Sequence, residues 1–435
     1  EDLSAPEVSE TKSIGYGYGT FKQKSPNLTW YGNLTTEAKK EKILFSNITV
    51  GYYYRLTQQY CLGFGHNKLL KIYMDDKEIW NNDLDEAGTL VSEYNHPSFF
   101  GDDNGINASF LFYDGTQTTS DQHLINNGLD VPPYKGVSYL VFKGFNTTTY
   151  QPDNTGFNGY GINSTAVQPG AYVGTALALK PYSFLIKKIP SHPELNQNYA
   201  DVNGECNPAF IIYDIMTNKD YGLGLPADFI DIPSFQQAAQ TLFEEDFGLS
   251  LIYEDKFSCR AFANDIARHA GGLVIEDAIN GLIKFKLIRK DYDTETILSL
   301  NEDNVITVDS FERTTNQDLF NEVKVNYTNK ENNYLPGTGT YRNSALRFDR
   351  ASSKQSVTLS FPFITSKKIA NIVAAREATP FTINLASLQI KAHRQDNLEV
   401  GDVFKMNWES LGIKDVVFRV QKINYGGLKS NIMII

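Results

Sequence analysis

Residues 207–224 read Asn-Pro-Ala-Phe-Ile-Ile-Tyr-Asp-Ile-Met-Thr-Asn-Lys-Asp-Tyr-Gly-Leu-Gly, and this stretch decides the fold of its part of the chain. Asn207 is a residue type that caps the free amides of a helix, and Pro208 is tolerated at the first helical position. Four apolar residues then recur at helical spacing: Ile211, Ile212, Ile215 and Met216. The pattern predicts a helix that begins after Asn207, in a unit that ends at Tyr221-Gly222-Leu223-Gly224.

The sequence after this stretch predicts two more helices and a hairpin. The first helix begins near Ser234 and has an apolar face, formed by Phe235, Ala238, Leu242 and Phe243. The second runs from about Arg260 to Ala270 and stops at Gly271-Gly272. Asn280-Gly281 then separates residues 273–279 from 282–288, as in a type I′ hairpin. Its strands alternate apolar residues with Lys284 and Lys286, which predicts one buried face and one wet face.

The remaining sequence is typical of a β-rich α+β protein with several domains. The chain has 435 residues, with 25 Tyr and 27 Phe, residue types that favour strands and interfaces. Strand patterns lie at 43–54, 69–73, 171–189, 323–327 and 381–392; a polar loop is expected over 328–355 and a helix over 366–377. Four segments follow from these patterns: an N-terminal arm, 1–40; a first β-rich domain, 41–200, with a loop-rich insertion, 81–170; an α/β domain, 201–295; and a second β domain, 296–435. The insertion is expected to carry short strands, at 110–113 and 137–142, on long loops. The arm shows no hydrophobic period, so we expect it to be extended and ordered only by a partner.

Charge argues against one class of function. The formal net charge is −11, whereas a sequence-independent binder of duplex DNA needs a basic face to displace counterions. Between Glu205 and Asp255 the sequence has ten acids and one base, Lys219. A solvated acidic face is the ordinary interpretation of such a run.

Motifs for chemistry are not apparent in the sequence. The six His fall into no metal-binding pattern, and His269, near the end of a predicted helix, fits a structural role as a cation that eases the helix dipole. Cys61, Cys206 and Cys259 are too widely spaced for a metal site and are expected to be buried free thiols. No run of 18 apolar residues predicts a membrane span. We therefore predict no catalytic, cofactor-binding or metal-binding residues, and no enzyme.

The stretch at 207–224 resembles one that is typical of bacteriophage tail-tip hub proteins, the lambda-type tip attachment or host specificity proteins. The residues that carry this structural motif are Asn207, Pro208, Tyr213, Asp214, Thr217, Tyr221, Gly222 and Gly224. Further family features follow in order along the chain: Cys259-Arg260-Ala261, the Asn-Gly hairpin, the strand Asn321–Tyr327, the helix Lys367–Glu377 and Val400-Gly401-Asp402-Val403. The resemblance is good over 205–425 and looser over 43–200.

The resemblance implies two tube-type β-barrel hub domains joined by smaller α/β domains. It implies a structural hub subunit of a tail tip or baseplate, assembled in the host cytoplasm as a homotrimer and located in the virion. Its expected partners are distal tail or tail-tube proteins, the tape-measure protein, and receptor-binding fibre or tip proteins; DNA would pass through the channel during genome ejection without specific binding. Three adjacent acids, Glu244, Glu245 and Asp246, are candidate channel residues, because the bases nearby in sequence are too few to pair with all of them. Two alternatives stay open: a secreted carbohydrate-binding β-protein, and a spike or hub relative of a contractile injection system.

Overall fold

The computed structural model describes most of the chain. The described residues are 13–43, 46–65, 68–74, 76–81, 94–96, 108–143, 171–174, 181–254, 258–277, 280–314, 319–349, 355–383, 385–393, 398–426 and 432–435. The chain divides into two compact units. Unit 1 comprises Glu1–Pro190, Gly204–Cys206 and Ser250–Lys256; unit 2 comprises Ser191–Asn203, Asn207–Leu249 and Phe257–Ile435.

Strands dominate the described residues. The first part of the chain forms β1 (Tyr16–Gln23), β2 (Asn27–Ile43), β3 (Ser46–Phe64), β4 (Lys68–Met74), β5 (Lys77–Asn81), β6 (Tyr94–His96), β7 (Ala108–Tyr113), α1 (Gln122–Asn126), β8 (Val137–Lys143), β9 (Ala171–Gly174) and β10 (Tyr182–Lys188). The middle forms β11 (Asp201–Val202), β12 (Glu205–Cys206), α2 (Pro208–Thr217), α3 (Ile232–Glu244), β13 (Leu251–Tyr253), α4 (Cys259–Ala270), β14 (Gly272–Glu276) and β15 (Ile283–Leu287). The last part forms β16 (Leu298–Leu300), β17 (Val305–Arg313), β18 (Glu322–Asn329), β19 (Leu335–Arg342), α5 (Ser344–Asp349), β20 (Ser356–Ser360), α6 (Lys367–Thr382), β21 (Ala386–His393), β22 (Val403–Trp408), β23 (Ile413–Arg419) and β24 (Ile432–Ile434).

Unit 1 is built from two sheets that share one core. One sheet has the strand order β13-β1-β10-β4-β5, and the other has the order β2-β3-β8-β7-β6, with β9 paired to β3. Aromatic side chains of the two sheets meet: the rings of Tyr60 and Phe184 lie 5.6 Å apart, and those of Trp80 and Phe110 lie 5.2 Å apart in an edge-to-face arrangement. The many Phe and Tyr residues therefore fill the space between two β layers.

The expectation of an extended arm that only a partner orders is wrong for residues 16–23. Strand β1 pairs with β10 on one side and with β13 on the other, and Tyr18 and Phe21 are buried. Six of its eight residues are buried, so the strand is covered on both faces. A strand that is buried on both faces need not alternate apolar and polar residues, so no periodic pattern marks it in the sequence. Residues 1–12 lie outside the described residues.

The predicted loop-rich insertion contains two strands of the core. Strands β7 and β8 pair with each other, and β8 also pairs with β3. Phe110, Phe112, Leu140 and Phe142 belong to the main core of unit 1. The stretch 108–143 is therefore part of the sheet and not an appendage on loops. The other residues of 81–170, apart from 81 and 94–96, lie outside the described part of the chain.

In unit 2 the three helices predicted downstream of 207 are confirmed. Helix α2 follows Asn207, α3 begins two residues before the predicted Ser234, and α4 ends at Gly271, which adopts a left-handed conformation with φ 66°. Phe243, expected on the buried face of α3, is 38% exposed. The hairpin of β14 and β15 is also confirmed, and Phe285 lies on its buried face.

The lysines on the other face of this hairpin form ion pairs and are not simply exposed to solvent. Lys284 lies 2.9 Å from Asp277 and 2.8 Å from Glu399, and the hydrogen bonds that it donates to Glu399 and Asp277 raise the pKa of Lys284. Lys286 forms an ion pair with Asp402. The turn at Gly401 brings Glu399 and Asp402 to the hairpin. Gly401 has φ 89°, a backbone conformation that is costly for residues other than glycine. The segment 398–403 therefore holds β15 as well as leading into β22.

Residues 328–355, expected to be a polar loop, contain a strand and a short helix. Strand β19 pairs with β18 over eight residues, from Glu322 opposite Arg342 to Asn329 opposite Leu335, and α5 follows it. Helix α6 packs on this pair of strands. It extends five residues past the predicted end at Glu377, so Phe381 and Thr382 are helical, and the following strand, β21, begins only at Ala386.

Glycine explains why β19 was missed. A Cβ atom on Gly339 would lie 2.7 Å from the backbone carbon of Ala370 in α6, and one on Gly337 would lie 2.7 Å from the ring of Tyr327. The strand needs these glycines so that a helix and a ring can approach its backbone. In the sequence the same glycines, next to Pro336, are typical of a loop.

Two three-stranded sheets complete unit 2 and share a core. Their strand orders are β16-β22-β23 and β17-β21-β24, and their common core includes Leu300, Ile390, Phe404, Met406 and Met433. The β-rich fold class is thus confirmed. The two predicted tube-type barrels are not, because no closed barrel is found among the sheets that the described residues form.

We predict that Gly339→Val lowers the free energy of unfolding by about 1–3 kcal/mol, because the new side chain overlaps the backbone of α6. Thr338→Val is the matched control, since Thr338 is exposed on the neighbouring position of the same strand. Urea denaturation of both variants measures the difference. Equal midpoints for the two variants would show that α6 does not sit on Gly339.

Candidate functional site

The motif at 207–224 forms a helix that is buried along nearly its whole length. Every residue from Pro208 to Met216 is buried in unit 2. A helix in such surroundings has no water to satisfy the free amides and carbonyls at its ends. The flanking residues of the motif must therefore supply those partners.

Asn207 supplies partners at the start of α2. Its side-chain oxygen accepts a hydrogen bond from the Ala209 amide at 3.0 Å, and its side-chain nitrogen donates to the carbonyls of Tyr199 at 3.0 Å and Ala239 at 2.9 Å. The side chain is completely buried. Asp, Ser or Thr could cap the helix, but a carboxylate or a single hydroxyl could not also donate twice. Asparagine therefore joins the helix start to two other segments of unit 2.

The closing Tyr-Gly-x-Gly supplies partners at the other end. The amide of Leu223 donates to the carbonyl of Ile215 at 2.9 Å, and that of Leu225 donates to Met216 at 2.8 Å. A Cβ atom on Gly222 would lie 2.3 Å from the Ile215 oxygen, and Gly224 has φ 64°. Both glycines are required by this tight return of the chain.

A polar cluster links the helix to its cap. The hydroxyl of Tyr221 donates to Asp214 at 2.6 Å, and Nε2 of His192 lies 3.2 Å from the other carboxylate oxygen. The hydroxyl of Thr217 donates a hydrogen bond to the carbonyl of Tyr213. Burial, and after it the nearby Glu194, raises the pKa of the Tyr213 side chain to about 12. The structure thus brings all eight motif residues together around α2. Each contributes to local architecture, which fits the structural role that the resemblance implied.

The three candidate channel acids have partners that the sequence did not show. Glu245 forms two hydrogen bonds of 2.7 Å with Arg289, and Asp246 lies 3.2 Å from Lys368. Glu244 accepts a hydrogen bond from Gln240 at 2.9 Å. The fold brings bases from positions 44 and 122 residues away to two of the three acids, which the sequence did not show. Whether these acids line a channel stays a prediction.

His269 is buried and neutral rather than a cation on the helix dipole. Burial lowers its pKa to about 4, although the carbonyl of Asp265, 2.8 Å from Nδ1, acts in the opposite direction. The ring stacks on Phe363 at 4.5 Å and meets the edge of Phe361 at 5.1 Å. This packing is consistent with the expected structural role of His269. The role depends on aromatic contacts in the core and not on a charge at the end of the helix.

Groups suited to chemistry are few among the described residues. No cluster of three or more His, Cys, Asp or Glu side chains there is placed to hold a metal ion. Cys61 and Cys206 are buried free thiols, as expected, and Cys259 is half-buried. No helix in the described ranges is long and apolar enough to cross a membrane.

A feature that the sequence did not predict is a long β-ribbon in unit 1. Strands β2 and β3 pair from Asn27–Cys61 to Ile43–Ser46, but β8 and β9 pair with β3 only between Tyr54 and Phe64. We call residues 37–43 and 46–53 the distal ribbon. Among the strands that the described residues form, no other pairs with it.

The distal ribbon exposes large apolar side chains. Ile48, Val50 and Tyr52 are 47%, 45% and 41% exposed. A bulge between Lys39 and Lys40 bends the pairing at this place. The apolar and β-branched residues of 43–54 did indicate a strand. The polar sequence of 27–42 hid its partner, because a ribbon exposed on both faces need not show an apolar face on each strand.

Comparisons with known proteins relate part of the sequence to phage tail proteins. Residues 258–423 match the family model described as a putative phage tail protein. A chain in the virion of a native gene transfer agent particle has the same fold, with a TM-score of 0.59 at 12% identity over 100% of this chain and 85% of that chain. No curated protein matches the sequence.

The family match supports a phage tail protein.

Two other solved structures are similar to this chain at lower scores. The tail protein from Neisseria meningitidis MC58 has a TM-score of 0.34 at 8% identity, covering 94% of this chain and 91% of its own. The 43 kDa tail protein of prophage MuSo2 from Shewanella oneidensis has a TM-score of 0.32 at 10% identity, covering 97% and 92%. The family match favours a structural virion component over a secreted carbohydrate-binding protein. The finer assignment to the tip-hub family stays a prediction.

We predict that Tyr221→Phe lowers the free energy of unfolding by about 1.5–3 kcal/mol, because it removes the hydrogen bond to the buried Asp214 carboxylate. Tyr199→Phe is the matched control: Tyr199 is half-buried in the same unit and its ring contacts Phe243. Thermal and urea unfolding measure both variants. A loss no greater than in the control would show that the Tyr221–Asp214 bond does not hold the helix cap.

We also predict a stability loss in acid that depends on His269. The pKa of His269 is about 4 in the folded chain and 6.5 for an unperturbed histidine, so between these pH values the unfolded chain binds the proton that the folded chain excludes. Stability from this group is therefore lost as pH falls from 6.5 to 4, by on the order of 3 kcal/mol. His269→Gln lacks this titration, so urea midpoints of the two proteins should converge or cross as pH falls. Parallel midpoint curves from pH 7.5 to 4 would contradict the buried neutral imidazole.

Proposed function

We propose that this phage tail protein is the hub subunit of a tail tip or baseplate, and that three copies close the distal end of the tail tube. The observation that carries the proposal is the distal ribbon. A two-stranded ribbon by itself is marginally stable in water, and open edges with exposed apolar residues invite pairing with another chain. The exposed Ile48, Val50 and Tyr52 thus fit an element completed by assembly.

A ring of copies gives each ribbon a neighbour. In a closed ring the two edges of a ribbon face different neighbouring copies, so the contact is head-to-tail and repeats until the ring closes. Barrel closure would then be a property of the assembly, which agrees with the open sheets of unit 1 in a single chain. Three copies with two tube-type domains each would match a six-fold tube, as the hub resemblance implies.

The channel of such a ring would carry DNA without binding it. The net charge of −11 fits a wall that repels phosphate. Of the three candidate acids, Glu244 has only an amide partner among the described residues, so its charge is the one not offset by a base. Tail-tube, tape-measure and receptor-binding tip proteins are the partners that this position in the virion implies.

An image reconstruction of the tail tests the hub assignment. We expect three copies of this chain in a ring at the distal end of the tube, with the distal ribbons in contact and Glu244 facing the lumen. Six copies, one copy, or a location along the tube would overturn the proposal. A ring of three with Glu244 on the outside would retain the hub and remove the channel role of the acid.

Ribbon variants test the observation on which the proposal stands. Ile48→Lys with Val50→Lys should reduce complete tails by at least about ten-fold, because burying unpaired charges at an interface costs several kcal/mol. Asn47→Lys with Thr49→Lys is the matched control, since both residues are exposed polar positions in the same ribbon. The purified chains should melt alike. Normal tail yield with the first pair would show that the ribbon face is not an assembly contact.

A further inference from the structure

Two large apolar side chains are exposed on the loop between α2 and α3, residues 218–231, which we call the α2–α3 loop. Leu223 is 51% exposed and Phe229 is 54% exposed. The residue after Phe229 points inward, since Ile230 is buried and forms a bridge with Ile283. Single exposed apolar residues are ordinary on a protein surface, whereas two of them on one short loop indicate a contact surface.

Hydrogen bonds fix the backbone of the α2–α3 loop at both ends. The carbonyl of Asn218 accepts from the amide of Gly224 at 3.0 Å, and its side-chain oxygen accepts from the amide of Asp220 at 2.9 Å. At the other end the amide of Asp231 donates to the carbonyl of Ile283 at 2.9 Å. The exposed side chains are therefore carried by a backbone that is ordered in the free chain, which lowers the entropy lost on binding.

The cap of helix α2 does not account for the position of Leu223. An apolar residue that follows a C-terminal glycine commonly packs back on the last turn of its helix. The amide of Leu223 does return to the carbonyl of Ile215, at 2.9 Å, but the residue stays half-exposed. Leu225, whose amide donates to the carbonyl of Met216, is more closely packed. The side chain of Leu223 is thus available for contact with a partner.

The α2–α3 loop also carries acidic charge that the fold does not offset. It has three acids, Asp220, Asp228 and Asp231, and one base, Lys219. Asp231 caps α3, where its side chain accepts from the amide of Ser234. Asp220 and Asp228 are exposed, and among the described residues neither forms an ion pair with a base. The acidic run of the sequence thus places two uncompensated carboxylates on the same loop as the two exposed apolar side chains.

We propose that the α2–α3 loop docks on a partner protein that presents an apolar pocket rimmed by lysine or arginine side chains. Leu223 and Phe229 enter the pocket, and Asp220 and Asp228 meet its basic rim. Apolar burial at the centre gives affinity, while opposite charges at the rim speed the encounter and disfavour acidic partners. Nucleic acid and anionic lipid surfaces are repelled by the same carboxylates. This inference does not rest on the hub assignment, and the loop belongs to unit 2 whereas the distal ribbon belongs to unit 1.

Photo-crosslinking in intact tails tests the occupant of the loop. With p-benzoylphenylalanine in place of Phe229, irradiation should join this chain to a different tail protein, at a segment that contains apolar residues together with lysine or arginine. Mass spectrometry of the crosslinked peptides identifies that segment. The same photoreactive residue in place of Ile372, which is 49% exposed on α6, is the matched control and should not give this crosslink. A crosslink to a second copy of this chain, to a segment without basic residues, or to nothing would refute the proposal.

Charge reversal tests the rim separately from the pocket. Asp220→Lys with Asp228→Lys should lower the yield of the Phe229-position crosslink by about five-fold, as reversal of two exposed charges at an interface rim allows. Asp291→Lys is the matched control, because Asp291 is an exposed acid of unit 2 outside the loop. An equal yield in the loop variant and the control would show that the partner does not read the acids.

Polar replacement of the two apolar side chains tests the pocket. Leu223→Ser with Phe229→Ser should reduce the incorporation of the chain into tails, while the purified chain melts like the wild type, because exposed side chains add little to stability. Ile372→Ser is the control and should be incorporated normally. Wild-type incorporation of the double variant would remove the apolar contact from the proposal and overturn it. If the double variant melts lower, the crosslink of the otherwise unchanged chain still decides the question.

Discussion

Helix α2 lies inside unit 2, so the polar groups at its two ends must be satisfied by protein atoms. Asn207 does this at the start by accepting one hydrogen bond and donating two, and the return of the chain at Gly222 and Gly224 does it at the end. Because an unpaired buried amide or carbonyl costs free energy comparable to a lost hydrogen bond, this arrangement admits few substitutions. The helix that results is the surface on which α3 and α4 pack. The rest of unit 2 is therefore organised around a helix whose ends leave little freedom.

The sequence revealed those parts of the fold whose local chemistry is explicit. Helices α2, α3 and α4 carry caps, apolar stripes and a terminal glycine, and their bounds were predicted within a few residues. Strand β1 was missed because burial on both faces removes alternation. Strand β19 was missed because its glycines serve close packing and not a turn. In both cases the deciding factor was a neighbour distant in sequence, which composition and periodicity do not record.

The same contrast holds for the candidate site. The eight motif residues could be selected from sequence, and they do lie together around α2. The pairing of Glu245 with Arg289 and of Asp246 with Lys368 could not, since both bases are distant along the chain. Only one strand of the distal ribbon was predicted, because the sequence of the other strand, β2, is polar. Which described strands pair with it follows from topology and not from the strands themselves.

The ion pairs of Lys284 with Glu399 and of Lys286 with Asp402 bear on how such a chain can change over time. They tie the hairpin of β14 and β15 to residues more than a hundred positions later, and Arg376 donates to the carbonyls of Arg268 and His269 across a similar span. A genetic crossover near residue 295 would join a hairpin from one parent to acids from another. Each lysine would then face a side chain with which it was never selected. The contacts of α2 with α4 and the ion pairs of Glu245 and Asp246 extend this dependence towards Asn207. We expect viable recombinants to inherit residues 207–426 as a block, with exchange confined to sequence outside this block.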